Sequence, residues 1–311
     1  MRVIFMGTPD FAVGTLEAIL AAGHEVVLAV TQPDRPKNRG KAMQAPPVKE
    51  CARKHAIPVC QPVKIRDAEE VERIFAYRPD IIVVAAFGQI LPKEILDLPR
   101  YGCINVHASL LPKYRGAAPI QWAVINGDAV SGVTIMRMDV GLDTGDMIEQ
   151  REITLAEDET GGSLFEKLSA EGARLCVETM EKIAAGTAVF TEQDASEATH
   201  VGMISKGMGN IDWNQPAEVI ERMIRGLNPW PSAYTKLNGK TLKIWRARVK
   251  AGKKSRDAGK IISVGKHEIE VQTGDGVLSL LEVQLEGKKR METEAFLRGY
   301  AVEKDTMLTR F

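Results

Sequence analysis

Cysteine is scarce in this chain and never clustered. The four cysteines, Cys51, Cys60, Cys103 and Cys176, form no C-x-x-C pair and have no histidine at ligand spacing, which points away from zinc ribbons and dithiol redox motifs. Reduced thiols and no metal are expected. Apolar runs are short. None approaches the ~20 uninterrupted apolar residues of a membrane-spanning helix. The chain also enters the strand-like RVIFM at residue 2 without a signal or transit segment, so no membrane association and a bacterial-type cytoplasmic location are expected. The opening GTPDFAVG lacks the G-x-G-x-x-G spacing of a dinucleotide loop. The next predicted strand ends in Val30-Thr31-Gln32 without a ribose-binding acid, which sets aside a dehydrogenase. Net charge is missing as well, 41 basic residues against 41 acidic, but only in the sum. Residues 1–204 carry 21 Lys and Arg against 28 Asp and Glu, whereas residues 205–311 carry 20 against 13. An acidic first part is thus joined to a basic second part, a hint of a polyanionic partner.

What is present divides into two textures, and 311 residues suffice for two cores. Residues 1–189 alternate short β-branched runs with amphipathic stretches. Strands are expected at RVIFM, EVVLAVT, DIIVVAAFG, CINV, GVTIMRM and near Ile148–Ile153. Helices are expected near Asp10–Ala22, from Pro47, at Pro119–Asn126 and at Thr160–Ala185. This is the pattern of a Rossmann-like α/β domain, a mostly parallel sheet with helices on both faces. Polar TEQDASEATH and Gly-rich SKGMGN mark residues 190–209 as a linker. In residues 210–311 a helix near Pro216–Arg225 leads to regularly spaced short alternating strands and a closing helix near Glu292–Arg298, the signature of a small OB-like β-barrel. A Pro-rich loop of about sixteen residues between Thr31 and Val48 is long enough to suggest function.

Chemistry concentrates at Asn105-Val106-His107, the SLLPKYRGAAPI that follows, and Asp139-Val140-Gly141-Leu142-Asp143-Thr144-Gly145-Asp146. In a strand Asn105 and His107 point to one face. The end of a sheet strand is also where open α/β sheets hold ligands. Asn105, His107, Ser109-Leu110-Leu111-Pro112, Tyr114-Arg115-Gly116, Pro119 and the 141–146 turn together resemble the active site of the tetrahydrofolate-dependent formyltransferases. GTPDFA, TQPDRP, RGK, DVGLDTGD and NPWP are similar to the branch of that family that acts on charged initiator tRNA, and the resemblance spans essentially the whole chain.

The resemblance implies transfer of the formyl group of 10-formyltetrahydrofolate to the α-amino group of methionine on initiator tRNA, with catalytic Asn105, His107 and Asp143. Donors from Asn105 and His107 would face the oxygen on which charge develops, while Asp143 would orient the imidazole or relay the amine's proton. Ser109, Leu110, Leu111 and Pro112 would line the folate site, with Phe87 and Gly88 as further neighbours. For the RNA, ten basic residues against one acidic between Lys236 and Lys260 make an electrostatic footprint, with Lys243, Arg246 and Arg248 touching the RNA. Strict alternation would put Ile244, Arg246 and Arg248 on one strand face. Lys37, Arg39 and Lys41 of the long loop would approach the acceptor end, Arg39 foremost. No protein partner is implied. A formyltransferase acting on an amino-sugar nucleotide is the alternative; the basic barrel and the RGK-containing loop weigh against it.

Overall fold

The computed structural model describes residues 1–37 and 42–310. It divides into two units, Met1–Pro119 with Val130–Thr154 and Phe165–Val201, and Ile120–Ala129 with Leu155–Leu164 and Gly202–Phe311. In chain order, β1 (Arg2–Gly7), α1 (Asp10–Ala21) and β2 (Glu25–Val30) are followed by a short antiparallel pair, β3 (Arg35–Lys37) and β4 (Ala42–Gln44). Next come α2 (Pro47–Lys54), β5 (Val59–Cys60), α3 (Ala68–Ala76), β6 (Ile81–Ala85), the one-turn α4 (Lys93–Leu96) and β7 (Cys103–His107). The run to residue 201 comprises β8 (Arg115–Gly116), α5 (Pro119–Asn126), β9 (Val130–Arg137), β10 (Met147–Thr154), α6 (Gly161–Ala185) and β11 (His200–Val201).

The first unit is built on a seven-stranded sheet in the order β10-β9-β7-β6-β1-β2-β5. The five strands from β5 to β7 run parallel, and β9 and β10 continue the sheet antiparallel. β1, β2 and β6 are buried along almost their whole length, as continuous apolar runs covered on both faces should be. On one face Ile4, Met6, Leu28, Val30, Ile82 and Val84 join a cluster with Ile74 of α3 and Ile95 of α4. On the other, α6 approaches so closely that a Cβ on Gly172 would stand 2.8 Å from Val106 Cγ1, which is why glycine occupies that turn. Phe11 of α1 and Phe165 of α6 meet edge to face, with ring centroids 5.6 Å apart. The expected mostly parallel sheet with helices on both faces is present.

The second unit contains α7 (Ala217–Gly226), β12 (Ala233–Leu237), β13 (Lys240–Lys250), β14 (Ile261–Val264), β15 (Ile269–Gln272), β16 (Val277–Leu285), β17 (Met291–Glu292) and α8 (Thr293–Gly299). Its antiparallel sheet runs β12-β13-β16-β15-β14, with β17 on β16. The two open edges are joined by the last residues of the chain. Lys236 N–H donates to Thr309 O at 2.9 Å, and Asp305 N–H to Ile261 O at 2.8 Å, so one segment pairs with both β12 and β14. Inside lie Trp213, Ile220, Ile224, Leu242, Ile244, Leu278, Leu280 and Phe296. The Trp213 indole N–H is satisfied by Thr235 Oγ1 at 3.1 Å. This is the small barrel that the spacing of short strands predicts. No helix among the described residues is long and apolar enough to cross a membrane.

Candidate active site

The parallel strands of the first unit end together, and the candidate residues gather at that edge. Asn105 and His107 lie on β7, opposite in parity to Val106, and pair across the sheet with Met136 and Thr134 of β9. Asn105 is half-buried, and its side-chain amide has no hydrogen-bond partner among the described residues. His107 is buried. Its Nε2 stands 3.0 Å from the Tyr114 carbonyl, which can only accept, so Nε2 carries the proton there. Nδ1 faces Asp143 Oδ1 at 3.7 Å, near enough for charge attraction and too far for a direct hydrogen bond. With Nε2 given to that carbonyl, Nδ1 is the ring nitrogen that faces the carboxylate.

Asp143 reaches this position from the turn between β9 and β10. Arg137 N–H donates to Asp146 O at 2.8 Å and closes the turn. An added Cβ on Gly145 would overlap Arg137 O, so only glycine fits there. Asp139 Oδ1 caps the turn, accepting from Gly141 N at 2.9 Å and Thr144 Oγ1 at 2.7 Å. Asp143 itself has φ of 54°, a left-handed conformation uncommon outside glycine, and its Oδ2 accepts from Gly116 N at 2.8 Å. The two aspartates thus divide the work: Asp139 holds the backbone, and Asp143 aims its carboxylate at the histidine.

Gln193, which lies in the stretch that polarity assigns to a linker, joins the parts of this site. It is 6% exposed. Its amide N–H groups donate to the carbonyls of Asp143 at 2.9 Å and Gly145 at 2.7 Å, and its oxygen accepts from Arg115 Nε at 3.1 Å and Nη2 at 2.8 Å. Neighbouring residues of the same segment pin the loop after β7. Thr199 Oγ1 accepts from Tyr114 N at 2.8 Å, and β11 pairs with β8. The first unit thereby extends to Val201, past the expected end at residue 189.

The expected folate residues divide. Ser109 is buried with its hydroxyl given to Lys113 O at 2.7 Å, and Leu111 is buried with its N–H on Thr134 Oγ1 at 3.1 Å. These two hold the turn, leaving Leu110 and Pro112 partly exposed. The Phe87 carbonyl accepts from Thr8 Oγ1 at 3.1 Å and Gln32 Nε2 at 3.2 Å, which ties the end of β6 to the ends of β1 and β2, and Gly88 follows in a left-handed conformation.

Of the long-loop residues, Arg39 and Lys41 lie outside the described residues, and Lys37 ends β3. The base of that loop is anchored by buried Lys49. Its ammonium donates to both Asp34 oxygens at 2.7 Å and to Gln61 Oε1 at 2.6 Å, while Gln61 Nε2 returns to Asp34 Oδ1 at 2.8 Å. The hydrogen bond from Lys49, followed by that from Gln61, holds the Asp34 carboxyl below its ordinary value. A depressed folded pKa contributes stability that is complete above the ordinary carboxylate value of about 3.9 and is lost as pH falls through the folded one. The urea-midpoint gap between wild type and Asp34→Asn is therefore expected to be full at pH 7 and to close on acidification below about pH 4. A gap independent of pH would contradict the assignment.

On the barrel, Arg246 and Arg248 are exposed while Ile244 is buried, so the strict alternation expected of β13 fails. The register against β16 shifts between Ile244 and Arg246 and again between Arg246 and Ala247. This bulge turns Ala247 toward the core and both arginines outward. Arg246 pairs with Glu292 at 2.7 Å, and Lys243 and Arg290 lie over the Trp245 ring at 5.5 and 4.6 Å. The cysteines are less isolated than their spacing along the chain suggests. His55 follows Cys51 by one helical turn, and with Glu17 they place three ligand-type atoms within 4.8 Å of one another. Burial, with Glu17 beside it, pushes the Cys51 thiol up and keeps it protonated.

Two family models match, one described as formyl transferase over residues 1–180 and one as formyl transferase, C-terminal domain, over residues 203–301. The class is thereby defined in both parts of the chain. Over 309 residues the chain is 67% identical to methionyl-tRNA formyltransferase of Agathobacter rectalis, covering 99% of this chain and 100% of the relative. Over 313 residues it is 54% identical to that of Lachnospira eligens, covering 99% of each. The chain belongs to the formyl transferase family, among the methionyl-tRNA formyltransferases. The fold is shared with the sugar 3N-formyl transferase WlaRD, with TM-score 0.65 and 18% identity over 93% of this chain and 99% of that one. It is shared also with an N-formyltransferase of Helicobacter canadensis, with TM-score 0.67 and 17% identity over 94% and 100%.

Proposed function

We propose that this chain transfers the formyl group of 10-formyltetrahydrofolate to the α-amino group of methionine on initiator tRNA, working in the bacterial cytoplasm. The observation that carries this reading is the 67% identity, end to end, with a methionyl-tRNA formyltransferase. The co-substrate supplies the activated formyl carbon. Asn105, half-buried with an amide that no described residue engages, donates to the formyl oxygen as negative charge develops there. His107 cannot share that task through Nε2, whose proton is given to Tyr114 O. Its lone pair at Nδ1 instead takes the proton of the attacking amine, and Asp143 stabilises the imidazolium that forms. Atoms balance when the new C–N bond replaces the folate one and that proton passes on to the leaving nitrogen.

Leu110, Pro112 and Gly88 line the folate side. Ser109, Leu111 and Phe87 act there chiefly by fixing the backbone. Lys37, Arg39 and Lys41 approach the acceptor end of the RNA, and Lys243, Arg246 and Arg248 of the barrel meet its phosphates. Within this reading the first unit, which extends to Val201 and includes Gln193, forms the catalytic part and residues 210–311 the RNA-binding part. The amino-sugar nucleotide alternative draws support from shared fold alone. Following tetrahydrofolate release tests the reaction. Release stoichiometric with formylmethionyl-tRNA is expected on adding charged initiator tRNA, and release with no formylated product would refute it.

A further inference from the structure

We infer that Gln193 is a positioning residue for the formyl-transfer site, acting through Asp143; this rests on the reading of Asp143 as the carboxylate partner of His107. Gln193 makes four hydrogen bonds, two donated to the carbonyls of Asp143 and Gly145 and two accepted from Arg115. Its orientation is unambiguous, because carbonyls only accept and guanidinium only donates. Asp143 is thereby held at both ends: its backbone carbonyl by Gln193, and its carboxylate by the N–H of Gly116, the residue next to Arg115. A non-glycine residue at positive φ keeps that conformation only when its surroundings impose it, and Gln193 is the part of those surroundings that grips residues 143 and 145 together. The 3.7 Å separation of Asp143 from His107 leaves the pair sensitive to displacement of the turn.

Two variants separate positioning from general stability. Gln193→Ala removes every bond of the hub and leaves the buried Arg115 without its partner. Gln193→Glu keeps an acceptor for Arg115 and turns an oxygen toward carbonyls that need donors, so it breaks chiefly the Asp143 side. In hydrogen exchange on the whole chain, both variants are expected to speed exchange within residues 139–146 by at least about tenfold while β1, β6 and β7 keep their protection. In formyl transfer, both are expected to lower kcat at least about tenfold with the KM of either substrate changed less than about threefold. Wild-type exchange in the 139–146 turn, or wild-type kcat, in Gln193→Glu would overturn the inference, as would uniform loss of protection across the sheet. Wild type failing to transfer formyl would instead remove the functional reading while the exchange result still judged the grip on the turn.

Discussion

Asn105→Ala is expected to lower kcat for formyl transfer by about 10²–10³-fold, the usual loss when one oxyanion donor is removed. The amide has no partner among the described residues and is half-buried, so its removal orphans no buried group. Stability should accordingly stay within about 1 kcal/mol of wild type. His107→Ala is expected to cost about 10²–10⁴-fold through loss of the base. Asp143→Asn should fall in the lower part of that range, because the amide oxygen can still accept from Gly116 while the charge beside Nδ1 is removed. The His107 and Asp143 losses should not add, since the carboxylate acts through the imidazole. Initial rates with saturating tRNA, alongside thermal melting, check all three. Wild-type turnover in folded Asn105→Ala would leave the reaction without an oxyanion donor from this chain.

The second large effect concerns the RNA. Changing Lys243, Arg246 and Arg248 together to glutamate is expected to weaken tRNA binding by at least about two orders of magnitude at low salt. It should also make the dependence of log Kd on log salt shallower by about two to three, roughly 0.9 for each phosphate no longer neutralised. The structure supplies a reason to choose these three. The bulge at Trp245–Arg246 turns both arginines outward, and Lys243 lies with Arg290 against Trp245. Arg246 must leave Glu292 to meet a phosphate, an exchange of one exposed pair that costs no more than about 1 kcal/mol. Binding titrations at several salt concentrations test this, with kcat at saturating tRNA as the control. An unchanged salt slope would move the RNA footprint elsewhere.

Much of this site is legible in the sequence for physical reasons. Asn105 and His107 are two apart in a predicted strand, so their shared face follows from the backbone alone. The parallel sheet follows from apolar runs too continuous for a half-exposed strand. Asp143 becomes legible only by resemblance, since Asp139 and Asp146 sit in the same turn and only the fold shows which carboxylate faces the ring. Gln193 is invisible for a different reason. It is a neutral side chain in a polar stretch, and its partners include backbone carbonyls some fifty residues away. Polarity suggests a linker there, whereas in the fold that polarity satisfies buried groups. The β13 bulge is hidden because alternation assumes an unbroken register, and the pairing that breaks it lies on another strand. His55 joins Cys51 only around the helix, which spacing rules for metal ligands along the chain do not register.

The most direct measurement places initiator methionyl-tRNA, elongator methionyl-tRNA and an amino-sugar nucleotide in one reaction with labelled 10-formyltetrahydrofolate and the purified chain. Label confined to the methionine of the initiator is the expected result. Label on the sugar nucleotide, with both tRNAs unmodified, would contradict the assigned acceptor and leave the basic barrel without its purpose.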